Sequence, residues 1–351
     1  MKQEKKNQNP HMAGSLAPSV KGSGPASWGE RSWHADNVTT YPDNIADWAD
    51  MSRLIREFVL PGHIPPSPFL TENDTIITLG SCFARELRFF LSRYGLSSAN
   101  FWIPSGLNNT FALADFVSWC VTGKETDRGY RYDRTDDGQI VEWKPDDEQQ
   151  VYAQHLSDAG AFAFTLGLAE VWEDTQTGQV FWRGVPESIF DDQRHRFRLS
   201  TVEENVSNIR EMIKLIRTVN HNAPIVFTLS PVPLKATYRP QSCITSDCVS
   251  KSTLRVALDQ AMNDSAEHVY YYPSFEIVKW LGCSLSFMAF SMEDDNTRHV
   301  SRWYVINIIK EFVSAFFEPA AVAKFAAGLK ADGIPDDTSQ PFRYAAGQTL
   351  N

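Results

Sequence analysis

The chain has 351 residues, of which 42% are hydrophobic and 22% are charged, a balance typical of a globular protein and not of a disordered or fibrous one. Acidic residues outnumber basic ones by 43 to 33, and the resulting net charge of −10 disfavours nucleic acid as a partner. No apolar run reaches the roughly 20 residues that span a bilayer, and residues 1–27 lack the apolar core of a secretory signal, so we expect a cytoplasmic protein without a membrane span.

Composition divides the chain into three parts. Residues 1–40 are polar and rich in Gly, Ser and Pro, which predicts a flexible N-terminal tail. Residues 321–351 are punctuated by Gly and Pro and form a C-terminal extension, so the ordered body is expected to end near Phe317. Residues 41–320 are predicted to form one domain, with hairpin-like insertions at about 120–160 and 173–200.

Short apolar runs alternate with amphipathic helical patterns along this domain, which indicates an α/β fold with a mainly parallel sheet. Buried strands are predicted over residues 75–79, 162–166, 225–229 and 269–272. Helices are predicted to begin after Ser81, at Thr201 with a capping box to Glu204, at Ser250 and at Ser301.

Ligands of open α/β sheets bind outside the carboxyl ends of the strands, so residues at the strand ends are the first candidates for chemistry. Ser81 follows the first strand and precedes a helix, where backbone N–H groups face a developing oxyanion. It is a candidate nucleophile, with a simple N-cap role as the alternative. His299 lies in an acidic loop before the last helix and is a candidate base, with an exposed loop histidine as the alternative.

Several short motifs resemble those of the GSCFA family, which is named for the sequence that stands here at Gly80-Ser-Cys-Phe-Ala84. Five further matches follow in order, namely Thr165-Leu-Gly-Leu-Ala-Glu-Val-Trp172, Thr228-Leu-Ser-Pro-Val-Pro-Leu234, Ser250-Lys-Ser-Thr-Leu-Arg255, Tyr272-Pro-Ser-Phe-Glu-Ile277 and Arg298-His-Val-Ser301. The family resembles a branch of the SGNH hydrolases. The resemblance implies a flavodoxin-like three-layer α/β/α sandwich and esterase or acyltransferase activity.

The resemblance also implies catalytic roles for individual residues. Ser81 would be the nucleophile and His299 the general base. The acid that orients the histidine is expected three residues before it, where Asn296 stands. Asp295 is therefore the expected acid, and a Ser–His dyad helped by Asn296 is the alternative.

The oxyanion site departs from the family pattern as well. Gly167 matches the glycine of the third motif block, but Ala169 replaces its oxyanion-binding asparagine. Asn108 or Asn109, together with the backbone N–H of Ser81 or Cys82, is expected to take over that role.

Four more residues near the strand ends are candidates for oxyanion or substrate binding. Three of them, Glu170, Ser230 and Lys251, lie in the matching motifs. The alternative interpretation of Glu170 is a solvated carboxylate, and that of Ser230 is a turn residue. The alternative interpretation of Lys251 is a surface charge at the first position of a helix. The Cys82 thiol is expected to be buried in the packing of the helix on the sheet, and a nucleophilic Cys82 is the alternative. Tryptophans are candidates for a stacking platform, with burial in the core as the alternative, at positions 102, 119, 143, 172 and 182.

Together with the resemblance, the sequence predicts a serine-dependent acyl-ester hydrolase or O-acyltransferase. The resemblance alone implies the substrate, an O-acylated sugar or a small acyl ester. The five cysteines form no C-x-x-C pair, and we expect no metal and no organic cofactor. A binding or scaffold protein without turnover and an enzyme that uses Cys82 are the alternatives. The sequence leaves a homo-oligomer open.

Overall fold

The computed structural model describes residues 41–42, 44–96, 103–104, 106–124, 129–135, 139–144, 149–263, 267–285, 287–290 and 296–335. The helices, in chain order, are α1 (Met51–Leu54, continued by a π-helical turn over Ile55–Val59), α2 (Cys82–Arg93), α3 (Thr110–Thr122), α4 (Gln149–Asp158), α5 (Val202–Val219), α6 (Cys243–Asn263), α7 (Ser274–Trp280), α8 (Arg302–Phe316) and α9 (Pro319–Ala331). The strands are β1 (Ile76–Gly80), β2 (Gly129–Tyr130), β3 (Tyr132–Arg134), β4 (Ile140–Glu142), β5 (Ala161–Leu166), β6 (Glu170–Asp174), β7 (Val180–Phe181), β8 (His195–Leu199), β9 (Ile225–Leu229) and β10 (Val269–Tyr271).

The centre of the molecule is a sheet of four parallel strands in the order β1-β5-β9-β10. It confirms the predicted strands to within one residue at each end. Gly80 lies opposite Thr165, and Thr165 lies opposite Thr228, so the strands end level with one another. The turns that follow β1, β5 and β9 therefore form one continuous edge.

Two helical layers cover the sheet, as the predicted α/β/α sandwich requires. Alternation along β5 sends Ala161 and Ala163 toward α1, α2, α7, α8 and α9, whereas Phe162 and Phe164 point toward α3, α4, α5 and α6. The small side chains on the first face let α2 pack close to the strands. The capping box from Thr201 to Glu204 starts α5 as predicted.

The two insertions combine into one small sheet in the order β2-β7-β6-β8. The first insertion supplies β2, the antiparallel hairpin β3–β4 and α4, and the second supplies β7 and β8. β6, which follows the turn after β5, pairs antiparallel with β7 and β8. This sheet therefore extends directly from the carboxyl edge of the central one.

Helix α9 lies beyond Phe317, so the expected end of the ordered body is too early. Phe325 makes an edge-to-face contact with Tyr94 of α2 at a ring distance of 5.2 Å. A Cβ at Gly328 would lie 2.3 Å from the same tyrosine ring, so the small residue allows the close approach. This helix was not predicted because it consists mostly of Ala and Gly, and such small residues give only a weak amphipathic pattern. Every helix within the described ranges is too short or too polar to span a bilayer.

Candidate functional site

The carboxyl edge of the central sheet is held together by hydrogen bonds between successive turns. The Ser81 N–H donates to the Thr165 carbonyl at 3.0 Å, and the Ser230 N–H donates to the Leu166 carbonyl at 2.8 Å. The first residue after β1 and the first after β9 are thus both fixed against β5.

A glycine at the end of β1 makes this close approach possible. Gly80 has φ +117°, a conformation that L side chains rarely adopt. A Cβ at this position would lie 2.1 Å from the Thr165 carbonyl oxygen. Glycine is therefore required for the sharp turn that presents Ser81.

Ser81 occupies the N-cap position of α2, but its hydroxyl makes no capping hydrogen bond. The side chain is 7% exposed, and its Oγ has no hydrogen-bond partner among the described residues. Buried hydroxyls are ordinarily paired, so this one is left with its full hydrogen-bonding capacity at the start of a helix. Its own N–H is taken by Thr165, which leaves the first N–H groups of α2, beginning with that of Cys82, for an oxyanion.

Cys82 is exposed, and the expectation that its thiol is buried is wrong. The buried stripe of α2 begins one residue later, at Phe83, and continues through Leu87 and Phe90. Cys82 falls outside that stripe. Its thiol lies close enough to the Lys251 ammonium to contribute to the pKa of that lysine.

The loop before α3 packs against the turn after β5. The Gly167 and Leu168 N–H groups both donate to the Asn108 carbonyl, at 2.8 and 3.0 Å. A Cβ at Gly167 would lie 2.8 Å from that oxygen. Asn108 is half-buried and lies directly beside the turn of Gly167 and Leu168, where the sequence predicts part of the oxyanion site.

The amide of Asn109 is used within the fold. Its Oδ1 accepts from the Ala112 N–H at 2.9 Å and so caps α3, and its Nδ2 donates to the Trp182 carbonyl at 3.1 Å. Of the two asparagines, Asn108 is the better candidate for an oxyanion donor.

Helix α6 begins at Cys243, so the prediction that Ser250 caps it is wrong. The first turns of α6 carry buried polar residues that face the strand edge, which breaks the apolar periodicity on which the prediction depended. The Ser250 hydroxyl accepts from the Ala169 N–H at 2.8 Å, and Lys251 Nζ donates to the Gly167 carbonyl at 2.5 Å.

Lys251 is a buried cation, because only 2% of the residue is exposed. The alternative interpretation, a surface charge, is therefore wrong. Burial lowers the pKa of its ammonium to about 8, an effect that Asp247 and Cys82 oppose and Lys279 reinforces. Among the residues that the structure describes, only Gly167 accepts a hydrogen bond from Nζ. Two of the three ammonium N–H groups thus have no acceptor in the part of the chain that the structure describes.

Glu170, the first residue of β6, is also buried, so it is not a solvated carboxylate. Its side chain is 2% exposed, and Arg239 NH1 lies 3.8 Å from Oε1, beyond hydrogen-bonding distance. Burial raises the pKa of this carboxyl, Thr237 and Arg239 partly offset the rise, and Asp247 adds to it. The Thr237 side chain and the Arg239 guanidinium lie close enough to this carboxylate to favour its charged form, although neither contact has the geometry of an ordinary hydrogen bond.

Ser230 is buried and acts as a turn residue. Its Oγ accepts from the Val232 N–H at 3.3 Å, directly after β9. This contact agrees with the structural alternative for Ser230.

His299 lies in the loop that leads into α8. The Arg298 N–H donates to Asn296 Oδ1 at 3.2 Å, which orients the Asn296 amide so that its Nδ2 lies 3.1 Å from His299 Nε2. Since an amide nitrogen only donates, Nε2 accepts, and the neutral ring carries its proton on Nδ1. Asp295, the expected orienting acid, lies outside the described residues.

Two contacts tie this loop to the rest of the edge. Arg298 NH1 donates to the Pro233 carbonyl at 3.1 Å, in the segment after β9. Arg302, in the first turn of α8, forms an ion pair with Glu86 of α2. The helices that follow Ser81 and His299 are therefore joined near their N-terminal ends.

Sequence reasoning missed two charged residues of this region, Asp247 and Arg239. Asp247 lies one helical turn before Lys251, and that spacing was visible once the helix was known to begin at Cys243. Arg239 lies in the irregular segment after β9, and no local pattern indicates its contact with Glu170.

A comparison with protein families finds one match, and its range includes the whole candidate site. The model of the GSCFA family matches residues 75–312, a range that begins just before β1, includes every candidate residue named above and ends within α8. Among curated proteins, none matches the chain. Because the match covers about two thirds of its length, the chain belongs to the GSCFA family.

Proposed function

We propose that this protein is a serine-dependent acyl-ester hydrolase or O-acyltransferase of the SGNH type. The observation that carries the proposal is the Ser81 hydroxyl, which is buried at the start of α2 and has no partner in the described structure. A hydroxyl with this placement is suited to attack a carbonyl carbon, because the helix behind it provides N–H groups and a positive dipole end for the oxyanion.

The oxyanion is held by two kinds of donor in this proposal. The Cys82 N–H, at the first position of α2, has no acceptor in a preceding helical turn. The second kind is side-chain donors, namely the N–H groups of Lys251 that have no acceptor in the described structure and the amide of Asn108 beside the same turn. They replace the asparagine for which Ala169 stands. A buried ammonium stabilises a developing negative charge strongly, because little water screens it.

His299 acts as the general base. For Nε2 to accept the Ser81 proton, its hydrogen bond from Asn296 must be exchanged for one from the serine hydroxyl. Asn296 bears no charge, so it orients the ring without stabilising the imidazolium as an aspartate would.

The reaction proceeds in two halves. Ser81 Oγ forms a bond to the acyl carbon while His299 takes its proton, and the carbonyl electron pair becomes the oxyanion. When the oxyanion collapses, the bond to the leaving alcohol breaks and His299 returns the proton to that oxygen. Water or a second alcohol then attacks the acyl-enzyme by the same route and gives hydrolysis or transfer, respectively.

Covalent labelling with a fluorophosphonate tests the nucleophile. We expect one adduct on Ser81, mapped by mass spectrometry, and a loss of at least about 10³-fold in ester turnover for Ser81→Ala and for His299→Ala. Ser92→Ala, an exposed serine of the same helix, and His221→Ala, an exposed histidine, are the matched controls. Full activity of Ser81→Ala would refute the proposal.

A second candidate is a thiol enzyme, because Cys82 is exposed at the start of α2 and lies near the Lys251 ammonium. In that case iodoacetamide would alkylate Cys82 and abolish turnover, Cys82→Ser would be inactive and Ser81→Ala would retain activity. A chain that reacts with neither reagent and turns over no ester would instead be a binding or scaffold protein.

A further inference from the structure

The peptide bond between Pro233 and Leu234 is held at both ends by charged side chains. Its N–H donates to Asp247 Oδ1 at 3.0 Å, and its carbonyl accepts from Arg298 NH1 at 3.1 Å. The N–H and the carbonyl of a trans peptide point in opposite directions, so the carboxylate lies on one side of this segment and the guanidinium on the other. Helix α6, which carries Asp247, is thereby connected to the residue before His299.

A second path leads from Asp247 to the same loop. Its Oδ2 lies 3.9 Å from Lys279 Nζ of α7, and that ammonium lies 4.8 Å from the centre of the Phe290 ring. Phe290 forms an antiparallel bridge with Val300, the residue after His299. Asp247 is therefore linked to the residues on both sides of His299.

Asp247 also lies close to the donor proposed for the oxyanion. It precedes Lys251 by one turn of α6, and both residues are buried. Burial lowers the pKa of the Lys251 ammonium, Asp247 and Cys82 raise it, and Lys279 lowers it further. Asp247 is thus the carboxylate that favours the charged form of Lys251. The other charged side chains near it are Glu170 of β6 and the partner of that residue, Arg239.

We propose that Asp247 is a positioning residue that fixes Lys251 and His299 relative to each other and keeps Lys251 charged. The inference rests on the proposed function where it concerns turnover, since Lys251 and His299 act there as oxyanion donor and base. Such groups must be held to within about 0.5 Å of their productive geometry. Asp247 acts only through its neighbours, namely the Leu234 N–H, Lys279 and Lys251.

The experiment compares Asp247→Asn with Asp247→Ala. Asparagine keeps an oxygen that accepts from the Leu234 N–H but removes the charge, whereas alanine removes both. In the wild type kcat/KM for ester hydrolysis should fall as the pH rises through about 8, and in Asp247→Asn this fall should move roughly one pH unit lower. Asp247→Ala should show the same shift and a further loss of about 10-fold or more in kcat at every pH, because His299 is no longer held.

Lys279 provides a test of the opposite sign. Lys279→Met removes a like charge near Lys251, so the fall in kcat/KM should move to higher pH, whereas Lys279→Arg should leave it in place. Damage to the fold alone would not move the two profiles in opposite directions. Asp259→Asn, which changes an exposed carboxylate of the same helix, should leave the profile unchanged.

Two further measurements need no turnover. In urea denaturation, the stability of Asp247→Asn should begin to rise with pH roughly one unit earlier than that of the wild type, because the folded chain then releases the Lys251 proton at lower pH. The ¹H–¹⁵N signals of the His299 ring should shift in Asp247→Ala and should stay in place in Asp259→Asn.

An unchanged pH profile and an unchanged stability curve for Asp247→Asn would overturn the inference. A loss of activity in Asp247→Ala with the His299 ring signals of the wild type would overturn it as well, because Asp247 would then support only the fold. If the wild type turns over no ester, the proposed function fails, and the stability curves and ring signals still decide whether Asp247 acts on Lys251 and His299. Ester turnover by the wild type without any of these shifts would refute the inference alone.

Discussion

Replacing Lys251 by methionine should change how stability depends on pH. Burial lowers the pKa of the ammonium to about 8, against 10.5 for an ordinary lysine. Below pH 8 both folded and unfolded chains hold the proton, and the folded protein carries the full cost of the buried charge. Between pH 8 and 10.5 only the unfolded chain holds it, so stability rises with pH. The shift corresponds to about 3 kcal/mol at 1.36 kcal/mol per pKa unit.

Urea denaturation of the wild type and Lys251→Met between pH 7 and pH 9.5 measures this effect. The free energy of unfolding of the wild type should gain about 2 kcal/mol relative to the variant over this range, because the slope reaches about 1.4 kcal/mol per pH unit above pH 8. Titrating groups that do not interact with Lys251 cancel in the difference. Lys214→Met, which removes an exposed lysine of α5, should give a curve parallel to that of the wild type. A parallel curve for Lys251→Met as well would refute the buried-cation reasoning.

Three further predictions concern the same edge of the sheet. Gly80→Ala should lower the free energy of unfolding by about 3 kcal/mol or more, because its Cβ would meet the Thr165 carbonyl. Gly178→Ala, also at positive φ but with nothing within 4 Å of its Cβ, should lower it by only about 1–2 kcal/mol. Equal losses for the two variants in thermal or urea unfolding would contradict the steric argument. Asn109→Ala should cost about 1 kcal/mol, since it removes the cap of α3, and an unchanged urea midpoint would count against that role. If the Lys251 ammonium holds the oxyanion, kcat/KM for ester hydrolysis should fall as the pH rises through about 8, and a flat profile from pH 7 to pH 9.5 would exclude a charged donor.

The central sheet and the position of Ser81 could be predicted from the sequence because their signals are local. An apolar run such as Ile225–Leu229 predicts a buried strand by itself. The capping box at Thr201 likewise starts a helix through contacts within four residues. A serine between a strand and a helix is therefore placed at the edge of the sheet before any long-range contact is known.

The surroundings of that serine depend on contacts between distant segments. Lys251 looks like a surface charge until α6 is seen to turn it onto the Gly167 carbonyl, and Glu170 becomes a buried, incompletely paired carboxylate only when the segment around Arg239 covers it. Cys82 is exposed because the packing face of α2 begins one residue later.

The sequence by itself thus determined the four strands of the central sheet, the starts of α2, α5 and α8 and the residue types at those ends, since propensity and periodicity act between near neighbours. Only the tertiary structure decided which charges are buried and which donors and acceptors lack partners. Burial and hydrogen-bond satisfaction are properties of segments that are far apart in the chain and meet at the carboxyl edge of the sheet.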